Sequence, residues 1–458
     1  MFGKDVLEEV LGVALARGGS FADLFIEERQ STLIALEDSR VERVQIGRDC
    51  GAGVRVLSGE STAYAYTNDL SREGLLQAAA TAARALNLGR EAVVRTLRPE
   101  TAPQPVEEEV ALEEKVAAVT AADKAARAVG GAVRQVLVGY GDVAQRVTVA
   151  NSEGVFVEEE RHRLRFTVNV VAAEGDVIQT GFEAVGSTAP FAATFKERPP
   201  EEVAEIAAQR AVALVHAPPA PAGRMTVVLA GEAGGTMVHE ACGHGLEADL
   251  VQKGLSVYGG KKGALVAAET VTVIDDATLP GKYGSYRFDD EGVKARPVVL
   301  IEDGYLKDYL YDRRSSGRDG RESNGHGRRE SYQHKPIPRM ANTYIKPGKT
   351  PPEEIIREVK KGFLVKKMGG GQVNTTNGDF VFEVAEGYLI EDGDVGPLVR
   401  GATLTGNGPE VLREVTLVGR DLGFTVGTCG KDGQGVPVSD AQPTLLVPEL
   451  IVGGTGRR

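Results

Sequence analysis

The sequence has few cysteines and no tryptophan. Its 458 residues include three cysteines: Cys50, Cys242 and Cys429. A small, odd number of cysteines in so long a chain excludes a fold built on a disulfide framework, and it is typical of proteins in a reducing compartment. We therefore predict a cytoplasmic protein.

Long apolar runs and a surplus of positive charge are also missing. No stretch approaches the roughly 18 apolar residues of a membrane-spanning helix. The N-terminus, MFGKDVLEEV, lacks the basic and apolar segments of a signal peptide. The net charge of −12, from 53 basic and 65 acidic side chains, disfavours a general nucleic-acid binder. We expect neither a membrane nor a nucleic acid as partner.

The chain is too long for a single hydrophobic core, and a proline-rich segment divides it. A chain of 458 residues is expected to form two or three domains. Residues 217–223, APPAPAG, contain three prolines that cannot continue a helix and are typical of a stiff linker. We predict an N-terminal domain of residues 1–222 and a C-terminal domain of residues 223–458.

Hydrophobic periodicity predicts the fold class. Alternating apolar residues and turn signals indicate an antiparallel sheet in the N-terminal half, and helical spacing predicts helices over residues 5–17, 71–87, 107–129 and 200–216. The predicted strands are short, with separate segments at 40–48 and 51–58, at 132–139 and 143–150, and at 155–160 and 163–173. An apolar strand over residues 225–230 opens a β-rich second half. The expected fold is a two-domain α+β structure.

Two histidines and a glutamate follow this strand. Residues His239, Glu240 and His244 form a His-Glu-x-x-x-His run. It is one residue longer than the His-Glu-x-x-His pattern in which two histidines bind zinc and the glutamate is a general base. In a regular α-helix, positions i and i+5 point about 140° apart, so the two rings could not reach one ion. We therefore predict a widened, π-type turn between the histidines, with Gly243 as the residue that tolerates the distortion.

Ligand chemistry alone does not identify the third residue that would bind the metal. A catalytic zinc usually has three protein ligands and one open position. Cys429, which lies between glycines in GTCGK, ranks equally with a carboxylate such as Glu247 or Asp249. Cys242 lies within the histidine run, but small buried cysteines are common, and we expect it to be structural.

Two further segments each allow a functional and a purely structural interpretation. Residues 312–340 hold eight Arg or Lys against four Asp or Glu and lack periodicity. They form either a binding loop that meets peptide carboxylates or a solvated, mobile loop. The triple glycine at 369–371 either admits a close ligand backbone or is a plain loop.

The sequence resembles the TldD/PmbA family, and specifically its TldD branch. Three stretches carry the resemblance: HEACGHGLEAD at 239–249, GGGQVNTTNGDFVFEVAEGYLIEDG at 369–393, and GTCGKDGQGVPVSDAQPTLLVPELIVGGT at 427–455. The resemblance implies a cytoplasmic zinc metallopeptidase with a catalytic C-terminal domain. The family's metal motif maps onto His239, Glu240 and His244, and its third ligand, a cysteine, maps onto Cys429. The resemblance also implies unfolded peptide substrates and a homodimer or a heterodimer with a PmbA/TldE-like chain.

Two functions follow as hypotheses. The first is zinc-dependent proteolysis of unfolded or extended peptides, with Glu240 as the general base for a metal-activated water. The alternative is a non-catalytic regulator or scaffold that acts through a partner chain, but a scaffold has no need of a base beside two ligands. For the peptidase we expect a dimer that encloses the site, with residues 312–340 near the internal cavity.

Overall fold

The computed structural model describes residues 3–86, 94–101 and 110–456, and its fold is of the predicted α+β class. Within these ranges, no helix is both long and apolar enough to cross a membrane. The chain forms one sheet before residue 200 and further sheets after residue 222. The predicted division into domains 1–222 and 223–458 stays a prediction.

One sheet of long strands organises the N-terminal part of the chain. Its strands are β1 Phe21–Glu37, β2 Arg40–Ser58, β3 Ser61–Thr67, β4 Arg98–Thr101, β5 Val133–Asn151, β6 Val155–Glu174 and β7 Val177–Ser187. The order is β3-β2-β1-β5-β6, and both β4 and β7 pair with β6. All these pairings are antiparallel except that of β4 with β6.

Three of these strands are longer than the sequence predicts. Strands β2, β5 and β6 each continue through residues that were expected to separate two strands. Strand β2 passes without a break through residues 49 and 50, and beyond them the rings of Tyr332 and Tyr64 lie where the Cβ atoms of Gly51 and Gly53 would be. The prediction of paired short strands is therefore wrong, and the glycines of β2 serve the packing of aromatic rings over the sheet.

Helices cover this sheet in two places. They are α1 Lys4–Leu15, α2 Arg72–Ala85, α3 Leu112–Ala128, α4 Phe191–Glu197 and α5 Pro200–His216. Helices α1 and α2 share one core with the β2–β3 end, and α3 and α5 share another with β5 and β6. The Ser71 side chain caps α2 by accepting a hydrogen bond from the Gly74 amide at 3.1 Å. The first residues of the helix predicted over 107–129, residues 107–109, lie outside the described residues.

The remaining elements belong to the second half of the chain. The strands are β8 Gly223–Leu229, β9 Val273–Asp276, β10 Pro297–Glu302, β11 Tyr305–Leu306, β12 Gly327–Arg328, β13 Ile337–Pro338, β14 Asn342–Ile345, β15 Lys361–Val373, β16 Asp379–Glu391, β17 Asp394–Val399, β18 Thr403–Asn407, β19 Leu417–Val418, β20 Gly423–Lys431, β21 Gln434–Gln442 and β22 Leu445–Gly453. The helices are α6 Thr236–Val238, α7 Ala248–Gln252, α8 Arg313–Arg318, α9 Pro352–Arg357 and α10 Gly408–Glu414.

These strands form a closed ring and an open sheet that share one core. The ring runs β15-β8-β22-β18-β16 and closes because β16 also pairs with β15. The open sheet has the order β11-β10-β9-β14-β21-β20, so β20 lies at its edge. Val227 of the ring and Val436 of the open sheet belong to the same buried core. The segment that follows β8 lies between the two.

Much of the basic segment 312–340 is packed inside the protein, whereas residues 317–322 are exposed. It contains α8, β12 and β13, and Arg329 and Arg339 are at most 5% exposed. Both guanidinium groups donate hydrogen bonds to backbone oxygens of the protein. Arg329 donates to the Asp290 carbonyl at 2.8 Å, and Arg339 donates to the Gln434 carbonyl at 3.2 Å. The alternative of a solvated, mobile loop is therefore wrong. Charge composition indicated solvent exposure, but carbonyl and carboxylate partners make burial of these guanidinium groups possible.

Candidate metal centre

The two histidines lie on a short, irregular helical segment after β8. The chain passes through a 3₁₀ turn, Gly231–Ala233, and helix α6 into a π turn, His239–Gly243, and a second 3₁₀ turn, His244–Leu246. The predicted π-type widening is confirmed. It brings positions i and i+5 onto one side of the segment, where the imidazole ring centroids are 5.0 Å apart and the ring planes meet at 86°.

Gly243 is required here for a different reason from the one predicted. Its backbone has φ −52° and ψ −59°, values that any residue can adopt. A Cβ atom at this position would instead overlap the sulfur of Met340, which is fully buried. The glycine therefore allows the π turn to approach the core closely.

Cys429 completes a group of three potential ligands. It lies on β20, and its Sγ is 3.4 Å from Nε2 of His244. The ligand atoms of His239, His244 and Cys429 all lie within 4.8 Å of one another. Within the described ranges, these three side chains are spaced closely enough to hold one metal ion. The structure thus brings the three side chains together, and their binding of a metal stays a prediction.

Two carboxylates orient the imidazoles. Oδ1 of Asp440, on β21, is 2.7 Å from Nδ1 of His239, and Oε2 of Glu247 is 3.0 Å from Nδ1 of His244. Such contacts fix the tautomer of a metal-binding histidine, because the proton stays on Nδ1 and Nε2 remains free to ligate. Asp440 has no local sequence signal, since it is 201 residues from its histidine.

The carboxylates considered as third ligands have other partners. Glu247 is fully buried, contacts His244, and lies 3.2 Å from Nζ of Lys431. Asp249 accepts a hydrogen bond from the same ammonium group at 2.5 Å. Neither is a member of the converging group. Of the three candidates for the third ligand, Cys429 is the one that lies with the two histidines, and its role as a ligand stays a prediction.

The charges of the site prepare Cys429 as a thiolate. Burial raises the pKa of Cys429, but the imidazoles of His239 and His244 more than offset it and lower that pKa to about 5. Burial lowers the pKa of His244, and Glu247 and Cys429 reverse this and raise it to about 9. Two imidazole nitrogens and a thiolate are a donor set that suits zinc and leave room for a fourth ligand. The residues therefore fit the metal that the sequence predicts.

Glu240 and the histidines face a large cleft. Its volume is about 1070 Å³, and its walls include residues 179–184 of β7, Met368–Gly370 of β15 and residues 424–431 of β20. Burial raises the pKa of the Glu240 carboxyl, which suits a group that accepts a proton and then donates it. Beside Gly370 a Cβ atom would have no neighbour within 4 Å, so the backbone there is open to a ligand.

The segment 312–340 does not contribute charge to this cleft. Among the described residues that line the cleft, none comes from this segment. The guanidinium of Arg339 donates to the carbonyl oxygen of Cys429, which lines the cleft. Several of its arginines instead donate to protein oxygens, and the expectation that the segment lies near the internal cavity of a dimer stays a prediction.

Family models match most of the chain. Residues 222–454 match the PmbA/TldA metallopeptidase C-terminal domain, residues 105–215 match the central domain, and residues 22–86 match domain 1.

Relatives and solved structures agree with these matches. A metalloprotease TldD homolog from Haemophilus influenzae is 35% identical over 98% of this chain and 96% of its own length. A metalloprotease from Methanothermobacter thermautotrophicus is 36% identical over 95% of this chain and 96% of its own length. TldE from Thermococcus kodakarensis shares the fold, with a TM-score of 0.80 at 20% identity over 98% of this chain and all of its own. A Thermotoga maritima protein named as a candidate modulator of a DNA gyrase has a TM-score of 0.81 at 22% identity, over 98% of this chain and all of its own. The domain matches and the full-length identities together show that this chain belongs to the PmbA/TldD family of metallopeptidases.

Proposed function

We propose that the protein is a zinc-dependent peptidase that hydrolyses unfolded or extended peptides. The observation that carries this proposal is the position of Glu240 on the wall of the cleft that also contains His239, His244 and Cys429. The three ligating side chains offer zinc two nitrogens and a sulfur, and the carboxylate beside them is free to act on water.

The residues of the site have separate roles in the proposed reaction. Zinc, when bound, supplies a Lewis acid that polarises the scissile carbonyl and makes a water acidic near neutral pH. Glu240 takes the proton of the attacking water and then gives it to the leaving amine. Asp440 and Glu247 hold the two histidines with Nε2 toward the ligand site, since their oxygens contact Nδ1 at 2.7 and 3.0 Å.

The position of β20 at the edge of its sheet supports the binding of an extended peptide in the cleft. Strand β20 pairs with β21 on one side, and no strand of the described residues pairs with its other side. Residues 424–431 of β20 line the cleft up to the metal group. We propose that the substrate is held there as an added strand, by main-chain hydrogen bonds that tolerate many side chains. The open backbone at Gly370 is on the same cleft wall as Met368.

We further propose that the active form is a dimer, of two copies or with a PmbA/TldE-like chain, acting in the cytoplasm. The fold similarity to TldE supports a paired arrangement, and the free cysteines support a reducing compartment. Symmetric dimers are the commonest oligomers. A second chain over the cleft would keep folded proteins out, so unfolded chains should be cut and the same chains resist cleavage when folded.

The test is a peptide pool analysed by mass spectrometry. Wild type, Glu240→Gln and Glu449→Gln are each incubated with an unfolded protein digest after loading with zinc. Glu449 is a matched control, because its side chain is 57% exposed and pairs with Arg224 on the surface. We expect Glu240→Gln to lose roughly 100-fold or more of the activity, with unchanged zinc content, and the control to retain it.

Two outcomes would contradict the proposal. Equal cleavage by all three proteins would exclude Glu240 as the base. Absence of cleavage by zinc-loaded wild type, alone and with a PmbA/TldE-like partner, would favour the regulator hypothesis that the name of the Thermotoga maritima protein suggests.

A further inference from the structure

A second depression adjoins the cleft at one residue. This aromatic groove, with a volume of about 390 Å³, is lined by Leu279, Lys282, Tyr344, Lys346, Leu422 and Phe424, among others. Phe424 also lines the cleft. The groove and the cleft are therefore neighbours along the same strand, β20, which carries Cys429 further on.

The register of the open sheet leads from the groove to the free edge of β20. Ile274 of β9 is directly opposite Tyr344 of β14, Tyr344 is opposite Ala441 of β21, and Ala441 is opposite Phe424 of β20. Directly paired residues have their side chains on the same face of a sheet. The four therefore form one row across four strands, and the row ends at Phe424. A strand added to β20 would continue the row with the residue that it places opposite Phe424.

The groove combines aromatic surface with unpaired positive charge. The ring centroids of Tyr344 and Phe424 are 6.4 Å apart, and Nζ of Lys282 is 4.0 Å from the Phe424 centroid. No carboxylate is among the described residues that line the groove. The ion pairs of the described residues involve neither Lys282 nor Lys346, and the Lys282 ammonium lies over the Phe424 ring instead. An apolar side chain beside an acidic one is the complement of such a surface.

The distance to the metal group sets which substrate residue reaches the groove. Phe424 and Cys429 are five residues apart on β20, and a strand rises about 3.3 Å per residue, which places them roughly 17 Å apart. An odd separation also puts the two side chains on opposite faces of the sheet. A peptide paired with β20 and cut beside Cys429 thus presents a side chain to the groove about five residues from the cut bond.

We propose that the aromatic groove is a substrate subsite that takes an aromatic or large aliphatic side chain about five residues from the cleaved bond, with an acidic side chain next to it at Lys282. This inference rests on the proposed peptidase function. It adds a sequence preference to an enzyme whose main-chain recognition would otherwise be indifferent to side chains.

The test is a register scan with synthetic peptides. One phenylalanine is moved from three to seven residues away from a fixed cleavage site, in one series on its N-terminal side and in another on its C-terminal side. We expect kcat/KM in one series to be highest at about five residues, on the order of tenfold above alanine at the same position. An adjacent glutamate should raise kcat/KM further, and an adjacent lysine should lower it.

Variants assign the effect to the groove. The measured quantity is the kcat/KM of the best long peptide divided by the kcat/KM of a short peptide that ends before the groove. Phe424→Ala should reduce this ratio. Lys282→Glu should reverse the preference between glutamate and lysine. The matched control is Val395→Ala, an equally apolar change at a side chain that is 49% exposed and lies on β17 outside the groove. It should leave the ratio unchanged.

The outcomes separate the subsite from the peptidase activity. Cleavage without any dependence on the distal residue, in both series, would overturn the subsite and leave the peptidase proposal standing. If no peptide is cut, binding of a fluorescein-labelled long peptide is measured by anisotropy. A Kd that Phe424→Ala and Lys282→Glu do not alter would then overturn the subsite as well.

Discussion

Asp440 is expected to control zinc affinity without touching the metal. Its Oδ1 is 2.7 Å from Nδ1 of His239, and the side chain is largely buried. Replacing Asp440 by Ala removes both the charge and the hydrogen bond that orients the ring. Loss of such a contact typically weakens metal binding by about 10–100-fold, which corresponds to roughly 1.4–2.7 kcal/mol.

A second substitution separates the effect of the lost charge on zinc affinity from the effect of the lost hydrogen bond. In Asp440→Asn, the amide oxygen can still accept a hydrogen bond from the Nδ1 proton, so the ring orientation is kept while the negative charge is lost. We therefore expect a weakening of about tenfold for Asp440→Asn and nearer 100-fold for Asp440→Ala. The order of the two variants follows from the geometry and does not depend on the absolute affinity.

The assay is competition for zinc with a chelator of known affinity, at a fixed pH and with circular dichroism as a check on folding. Asp421→Asn is the matched control, because Asp421 accepts a hydrogen bond from the Thr444 hydroxyl at 2.8 Å and contacts neither histidine. It should bind zinc like wild type. An unchanged zinc Kd for Asp440→Ala would refute the reasoning that this carboxylate fixes the His239 tautomer.

Two further predictions concern stability. Gly243→Ala should lower the free energy of unfolding by about 1–3 kcal/mol in urea titrations, because the added methyl group overlaps the buried Met340 sulfur. Gly12→Ala in α1, where a Cβ has no neighbour within 4 Å, should be neutral or stabilise by up to about 1 kcal/mol; equal effects would contradict the packing argument. Burial, and then the charge of Glu291, raises the pKa of Asp312 from 3.8 to about 6. The folded state thus binds more protons than the unfolded state between these values, and stability falls as pH rises through that window. Asp312→Asn should make the urea midpoint less dependent on pH between 4 and 6, and an unchanged slope would contradict the assignment.

The local features of the site could be predicted from the sequence. The spacing of His239 and His244 required a π-type turn, because a regular helix would separate the rings, and that turn is present. Cys429 could not be chosen over Glu247 and Asp249 by chemistry alone, and the family resemblance decided it. Its position beside His244 depends on the pairing of β20 with β21, which no local pattern reveals.

The features that were missed depend on tertiary contacts. Asp440 is distant in sequence from His239, so its orienting role becomes visible only when β21 packs against the π turn. The sequence predicted a break between residues 48 and 51, but β2 is continuous there, and Gly51 admits a tyrosine ring over the strand. For segment 312–340 the sequence left a binding loop and a solvated loop as alternatives, but two of its arginines donate hydrogen bonds to carbonyl oxygens of other parts of the chain.

The central claim is that His239, His244 and Cys429 bind zinc in a site that Glu240 serves as base. X-ray absorption spectroscopy at the zinc edge tests it most directly, on wild type and on Cys429→Ser. For wild type we predict one sulfur at ~2.3 Å and two imidazole nitrogens at ~2.0–2.1 Å, with a lighter fourth ligand. For Cys429→Ser we predict loss of the sulfur shell and lower zinc occupancy. A wild-type spectrum without sulfur, or an unchanged sulfur shell in the variant, would contradict the account.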